Sequence, residues 1–190
     1  MGMGEPLLNY ENIRKSLEIM LAQDRLSLGR RHITISTCGI IPWIEKLIED
    51  KVDVKLAISL HAPNQELRNQ IMPIAKAYPL EELMKTIDRY VKATDNRIFY
   101  EYIMIHGVTD KPELAHQLVK LLKGRLAHLN LIPYNENPAI DLKESKKADI
   151  QKFKQILEEG GVTVTVRDSM GREAKGACGQ LGYEKVKDQN

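Results

Sequence analysis

The sequence predicts an α/β fold, a partial (β/α) barrel of parallel strands each followed by a helix. Short apolar or β-branched runs alternate with stretches of helical period along the whole chain. Each run ends in small polar residues, and no strand-like run precedes the first helix, so the barrel reads as cut open and lacking its first strands.

The elements follow in order. Ile13, Leu17, Met20 and Leu21 recur at helical spacing, with Asn9 as N-cap, and predict a helix from Asn9 to about Ala22. Ile33 to Thr37 is short and β-branched; Gly39 follows, then a helix from Pro42 to Asp50 with the proline in its first turn. Val54 to Leu60 reads as a buried strand and Ala62 to Ile71 as a loop with a short helix. Leu80 to Val91 reads as an amphipathic helix, and Arg97 to Ile105 as the next strand. Pro112 to Leu122 forms a helix opened by Glu113 and followed by Gly124, and Ala127 to Ile132 a strand. A long loop runs through Pro133, Asn135 and Pro138. Ser145 to Glu159 reads as a helix stopped by Gly160 and Gly161, and Val162 to Arg167 as a last strand before a Gly-rich tail over 168–190.

Composition bounds the function without choosing it. The 190 residues carry 28 Lys+Arg against 26 Asp+Glu, a net charge of +2, with 43% hydrophobic residues. One domain of this size hides about 70% of its unfolded surface and needs no disulfide or structural metal to fold. The near-balanced charge gives no strong nucleic-acid footprint. No apolar run approaches the ~20 residues of a membrane span, and no basic-then-apolar leader opens the chain, so a cytoplasmic protein with no membrane partner is expected. Cys38 and Cys178 are the two cysteines, without a Cys-x-x-Cys partner, and no histidine shows metal-ligand spacing; no metal ligand is expected within the chain.

In parallel sheets and barrels, ligands sit at the carboxyl ends of the strands. Those ends carry Ser36-Thr37-Cys38-Gly39, Ser59-Leu60-His61, His106-Gly107 and Pro133-Tyr134-Asn135, while Gly2-Met3-Gly4-Glu5-Pro6 opens the chain. The opening motif lacks the pattern of a phosphate loop. It is either a turn needing positive φ at a glycine or a display of acceptors, Glu5 among them, toward an ammonium group. His61 alone would read as structural; with Ser36 and Asn135 on the same rim it points to a small molecule with hydroxyl and carboxylate groups. Cys38 reads as a packing residue. Cys178, flanked by Gly176 and Gly179, has the room of a reactive thiol.

Five motifs in this order, Gly-Met-Gly-Glu-Pro-Leu-Leu-Asn, Ser-Thr-Cys-Gly-Ile-Ile-Pro, Ser-Leu-His-Ala-Pro, Leu-Ile-Pro-Tyr-Asn and Ala-Cys-Gly-Gln-Leu, resemble the RlmN/Cfr family across nearly the whole chain. The resemblance implies a radical S-adenosylmethionine (SAM) barrel with a [4Fe-4S] cluster. It implies methylation of an adenine carbon in 23S ribosomal RNA and in tRNA, with an electron donor for the cluster. Such a carbon has no lone pair to attack a sulfonium methyl, which explains the recourse to a radical cofactor. The resemblance assigns Cys178 as the nucleophile that takes a methyl group as S-methylcysteine, and Gly4, Glu5, Ser36, Ser59, Leu60, His61 and Asn135 as SAM contacts. Carbon 2 is the expected target; a carbon 8 enzyme and a non-catalytic remnant that binds SAM or RNA stay open.

The sequence departs from that family in two places. Its Cys-x-x-x-Cys-x-x-Cys cluster loop would precede the Gly-Glu-Pro motif, so the cluster ligands are expected upstream and residues 1–190 are expected to be the C-terminal part of the barrel, inactive alone. Before Cys178, Glu173-Ala174-Lys175-Gly176-Ala177 stands where the family usually has Asp-Ile-x-Ala-Ala.

Overall fold

The computed structural model describes residues 4–136 and 140–167. A single 3-10 turn, Pro6–Asn9, leads into α1 (Tyr10–Leu21). Four βα steps and a last strand follow: β1 (Thr34–Thr37), α2 (Ile41–Glu49), β2 (Lys55–Ser59), α3 (Gln65–Ile71), α4 (Leu80–Thr94), β3 (Ile98–Met104), α5 (Pro112–Leu122), β4 (Ala127–Pro133), α6 (Lys147–Glu159) and β5 (Val164–Val166). The strands are all parallel, in the order β1-β2-β3-β4-β5. Each strand lies beside the next one in sequence, and the order never reverses. That progression belongs to a barrel wall, as expected, and not to a doubly wound sheet.

The two faces of the sheet differ in chemistry. Leu56, Ile58, Ile98, Tyr100, Tyr102, Leu129 and Leu131 point from the strands into a core completed by Leu47, Leu83, Ile87, Leu118 and Phe153 of the helices. Tyr102 and Phe153 stack at 5.4 Å between ring centroids. On the opposite face Thr34, Ser36, Lys55, Ala57, Phe99, Glu101, Asn130 and Arg167 line an open cleft of about 410 Å³. The alternation follows from the period of two along a strand. Polar residues on the inner face of a sheet sacrifice hydrophobic burial there, and they mark that face as the one that meets a ligand.

Boundaries shift where tertiary contacts override local pattern. α4 runs on to Thr94 and closes at Asp95, which takes the left-handed conformation at φ 56. α6 begins at Lys147 instead of Ser145, because residues 143–145 are extended against the end of β3: Ile105 bridges Glu144, and His106 N–H donates to the Lys143 carbonyl at 2.9 Å. Asn9 precedes α1, yet its Oδ1 accepts from Asn12 Nδ2 at 2.8 Å and caps no backbone N–H. No helix among the described residues is long and apolar enough to cross a membrane.

Candidate cofactor site at the carboxyl rim

The first rim element is Glu5, placed as the N-cap of the Pro6–Asn9 turn. Its Oε1 accepts from Leu7 N–H at 3.1 Å and its Oε2 from Cys38 N–H at 2.7 Å. The second bond fastens the opening motif to the end of β1 across 33 positions of sequence. Gly4 has φ +97 with open space around it, so the position needs glycine for its backbone conformation. Cys38 itself is half-buried, and burial together with the neighbouring Glu5 carboxylate pushes its thiol up to about 12. It stays a neutral thiol, in keeping with a packing role.

Ser36 and Thr37 alternate at the end of β1. Ser36 faces the cleft, while Thr37 is buried and accepts from Gly39 N–H at 3.0 Å, closing the turn into α2. On β2, Ser59 lies opposite Glu101 of β3 in register. The chain then crosses the rim: Leu60 and His61 both donate their N–H to the Glu101 carbonyl, at 3.0 and 3.1 Å. His61 is held at φ 57, uncommon for a residue other than glycine, and such positions cluster where a site demands them. Its Nδ1 is buried with no hydrogen-bond partner among the described residues. Burial first, and the Arg68 cation second, bring its pKa down to about 4, so the ring is neutral at neutral pH.

Gly4, Glu5, Ser36, Ser59, Leu60 and His61 therefore share the β1–β2 end of one rim. Asn135 stands on the same rim past the end of β4, half-buried, where Tyr134 N–H donates to the Met104 carbonyl at 3.2 Å. Cys178 and the tail over 168–190 lie outside the described residues, as do Gly2 and Pro138.

Four further residues belong to this neighbourhood. Glu101 is only 6% exposed; its Oε1 accepts from Asn130 Nδ2 at 2.9 Å, while its Oε2 has no hydrogen bond among the described residues and lies 3.8 Å from Arg167 Nη1. A carboxylate inside the apolar run Ile98-Phe99-Tyr100-Glu101-Tyr102 was a signal available in sequence. Arg68 on α3 gave no such signal, since its burial arises from the packing of α3 onto the rim.

Comparison with known proteins places the chain among relatives. Residues 1–119 match the Radical SAM superfamily. The chain belongs to that superfamily. It is 50% identical over 188 residues to a probable dual-specificity RNA methyltransferase RlmN of Thermoanaerobacter sp., covering 99% of this chain and 55% of the relative. It is 49% identical to the corresponding protein of Clostridium novyi, covering 95% of this chain and 53% of that one. Among solved structures, a radical SAM methyltransferase from Sphaerobacter thermophilus superposes with a TM-score of 0.90 at 43% identity, over 95% of this chain and 53% of that chain. A domain of pyruvate-formate lyase-activating enzyme from Bacteroides vulgatus shares the fold at a TM-score of 0.64. The chain thus spans about half the length of the curated relatives it matches.

The rim fits one of the two groups the superfamily implies. SAM presents an ammonium, a carboxylate and hydroxyls; the rim offers a carboxylate in Glu5, hydroxyls in Ser36 and Ser59, and in His61 a buried ring nitrogen with no hydrogen bond among the described residues. A [4Fe-4S] cluster needs several thiolates, and the described residues hold one cysteine, Cys38, whose thiol resists ionisation. The described residues do not fit the cluster.

Proposed function

We propose that this chain is the SAM-seating part of a radical SAM RNA methyltransferase that methylates carbon 2 of an adenine in 23S ribosomal RNA and in tRNA. The observation that carries the SAM reading is the Glu5 carboxylate, fixed at 2.7 Å on the end of β1 with its charge unneutralised by any ion pair among the described residues, beside Ser59-Leu60-His61. Such a carboxylate recognises an ammonium group. The RNA and methyl-transfer parts of the reading are supported by the likeness to proteins so named.

In this reading residues 1–190 are one piece of barrel wall with a tail, 168–190, that brings the acceptor thiol. SAM, when bound, supplies the methyl group and the radical chemistry. Glu5 holds the ammonium end, Ser36 and Ser59 offer hydroxyls along the ligand, and neutral His61 offers one donor and one acceptor. Asn135 closes the seat from β4. Cys178, as thiolate, takes the methyl: its sulfur forms the new S–C bond, the sulfonium S–C bond breaks, and the thiol proton goes to solvent. The cluster and its electron donor are assigned to parts of the protein beyond the described residues, and RNA enters as an unstacked base at the concave mouth.

The test is nucleoside analysis of ribosomal RNA and tRNA treated with the full-length, cluster-reconstituted protein and with its Cys178→Ala variant. The expected result is 2-methyladenosine with the first and none with the second. A product methylated at carbon 8 would overturn the positional assignment, and methylation surviving in Cys178→Ala would overturn the role of the thiol.

A further inference from the structure

The cleft on the inner face of the sheet, about 410 Å³, extends beyond the cofactor contacts: of its lining residues only Ser36 is among them. The others include Phe99 and Glu101 of β3, Asn130 of β4 and Arg167 just past β5. Its volume falls in the range of small-ligand sites, about 300–1,000 Å³. Glu101 is a carboxylate held almost wholly out of water on this wall, a costly placement that packing alone does not require. Its Oε1 accepts from Asn130 Nδ2 at 2.9 Å, and Arg167 Nη1 lies 3.8 Å from its Oε2. The three side chains form one line of contacts across β3, β4 and the end of β5.

That line fixes which way the Asn130 amide faces. A carboxylate only accepts, so the amide turns its NH2 group to Glu101 and its carbonyl away from it. Asn130 is half-buried and lines the cleft; its Oδ1 accepts from no described residue and is not closed off from solvent. The cleft therefore presents an acceptor in a set orientation. Phe99 adds half-buried aromatic surface to the same wall. A flat ring that carries an N–H donor matches this pairing, and adenine is such a ring, with its amine on carbon 6. Guanine has a carbonyl oxygen there, which would set two acceptors against each other. An adenine can come from RNA or from SAM itself, and the position favours RNA. Apart from Asn135, the proposed cofactor contacts gather at the β1–β2 end, whereas Glu101, Asn130 and Arg167 belong to β3, β4 and the end of β5, and Arg167 leads into the tail that carries Cys178.

We propose that Asn130 selects the target base of the RNA by accepting a hydrogen bond from the amine on carbon 6 of adenine, with Glu101 as the positioning residue that holds its amide in the accepting orientation. The inference rests on the reading of this chain as part of an RNA adenine methyltransferase and goes beyond it by naming the group that reads the base. A contact at the amine leaves carbon 2 clear, since a ring nitrogen separates carbons 6 and 2. Glu101 does not touch the base; it acts through Asn130, and Arg167 offsets its charge.

The experiment measures kcat/KM for methylation by the full-length, cluster-reconstituted protein on two RNA stem-loops. One carries adenosine at the target position and the other purine riboside, which lacks only the amine. Wild type should favour adenosine by about tenfold or more, the size of one hydrogen bond. Asn130→Leu, close in shape but without an acceptor, should bring that ratio to within about twofold, chiefly by slowing the adenosine substrate. Asn130→Ala is the second variant should the leucine fold poorly. Glu101→Gln can meet Asn130 with a donor or an acceptor, so it frees the amide to turn and should lower the ratio by about threefold. The dissociation constant of SAM, read by calorimetry, should stay within about twofold of wild type in each variant. SAM affinity falling in step with turnover would show that Asn130 reads the adenine of the cofactor and would overturn the proposal. So would an equal loss on both RNAs, the mark of a packing role. Should no variant fold, the wild-type ratio decides: about tenfold supports recognition of the amine, and under about twofold overturns it. Wild-type protein that methylates neither RNA would instead overturn the proposed function.

Discussion

Gly39 turns the end of β1 into α2 at φ +96, and a Cβ built there would stand 2.7 and 2.9 Å from the methyl carbons of Leu83. Replacing it with alanine adds two costs. The left-handed backbone costs an alanine about 1–2 kcal/mol. Displacing Leu83, wholly buried on α4, is an overpacking strain of about 1–3 kcal/mol. Gly39→Ala should thus destabilise by about 3 kcal/mol, which lowers the melting temperature of a domain of this size by about 6–12 °C. Thermal and urea unfolding followed by circular dichroism measures both. A double-mutant cycle separates the two costs: in a Leu83→Ala background, itself weakened by about 2–5 kcal/mol, the alanine at 39 should cost only its backbone share. A Gly39→Ala protein within about 0.5 kcal/mol of wild type would refute the reasoning, and so would a cycle with no coupling.

Other expectations follow from the same geometry. Glu5→Gln removes the charge and leaves one acceptor oxygen where two carboxylate oxygens received the Leu7 and Cys38 amides; SAM binding should weaken about tenfold and stability should fall by about 1 kcal/mol, read by calorimetry and urea unfolding. His61 has its folded pKa depressed to about 4 from 6.5, so the unfolded chain binds the proton more readily. Its contribution is complete above pH 6.5 and declines as pH falls toward 4, by up to about 3 kcal/mol. Urea midpoints at pH 7 and pH 4.5 should show that slope in wild type and lose much of it in His61→Asn, a residue that tolerates the positive φ. Phe153→Ala empties a core site stacked on Tyr102 and should cost about 3–5 kcal/mol in urea unfolding.

The alternation of strands and helices was legible because period two and period 3.6 are local properties of the chain. Pro42 in the first turn of α2 and the stop after Glu159 followed from proline and glycine conformations that neighbours cannot alter. The start of α6 was not legible: Ser145 suits a helix entry, but residues 143–145 answer to the end of β3, some 40 positions away in sequence. The same division runs through the site. Ser36, Ser59 and His61 were legible as rim residues because small or polar residues end apolar strands. Glu101 could have been found as a charge in an apolar strand, whereas Arg68 could not, since its burial exists only once α3 folds over the rim.

The path of the methyl group is the most direct test of the account. The full-length protein is incubated with SAM carrying a deuterated methyl group, and the peptide containing Cys178 is sequenced by tandem mass spectrometry before and after RNA is added. The account predicts a deuterated methyl on the Cys178 sulfur first, and deuterium on the adenine of the product afterwards. Labelled adenine from protein whose Cys178 never carries label would contradict it.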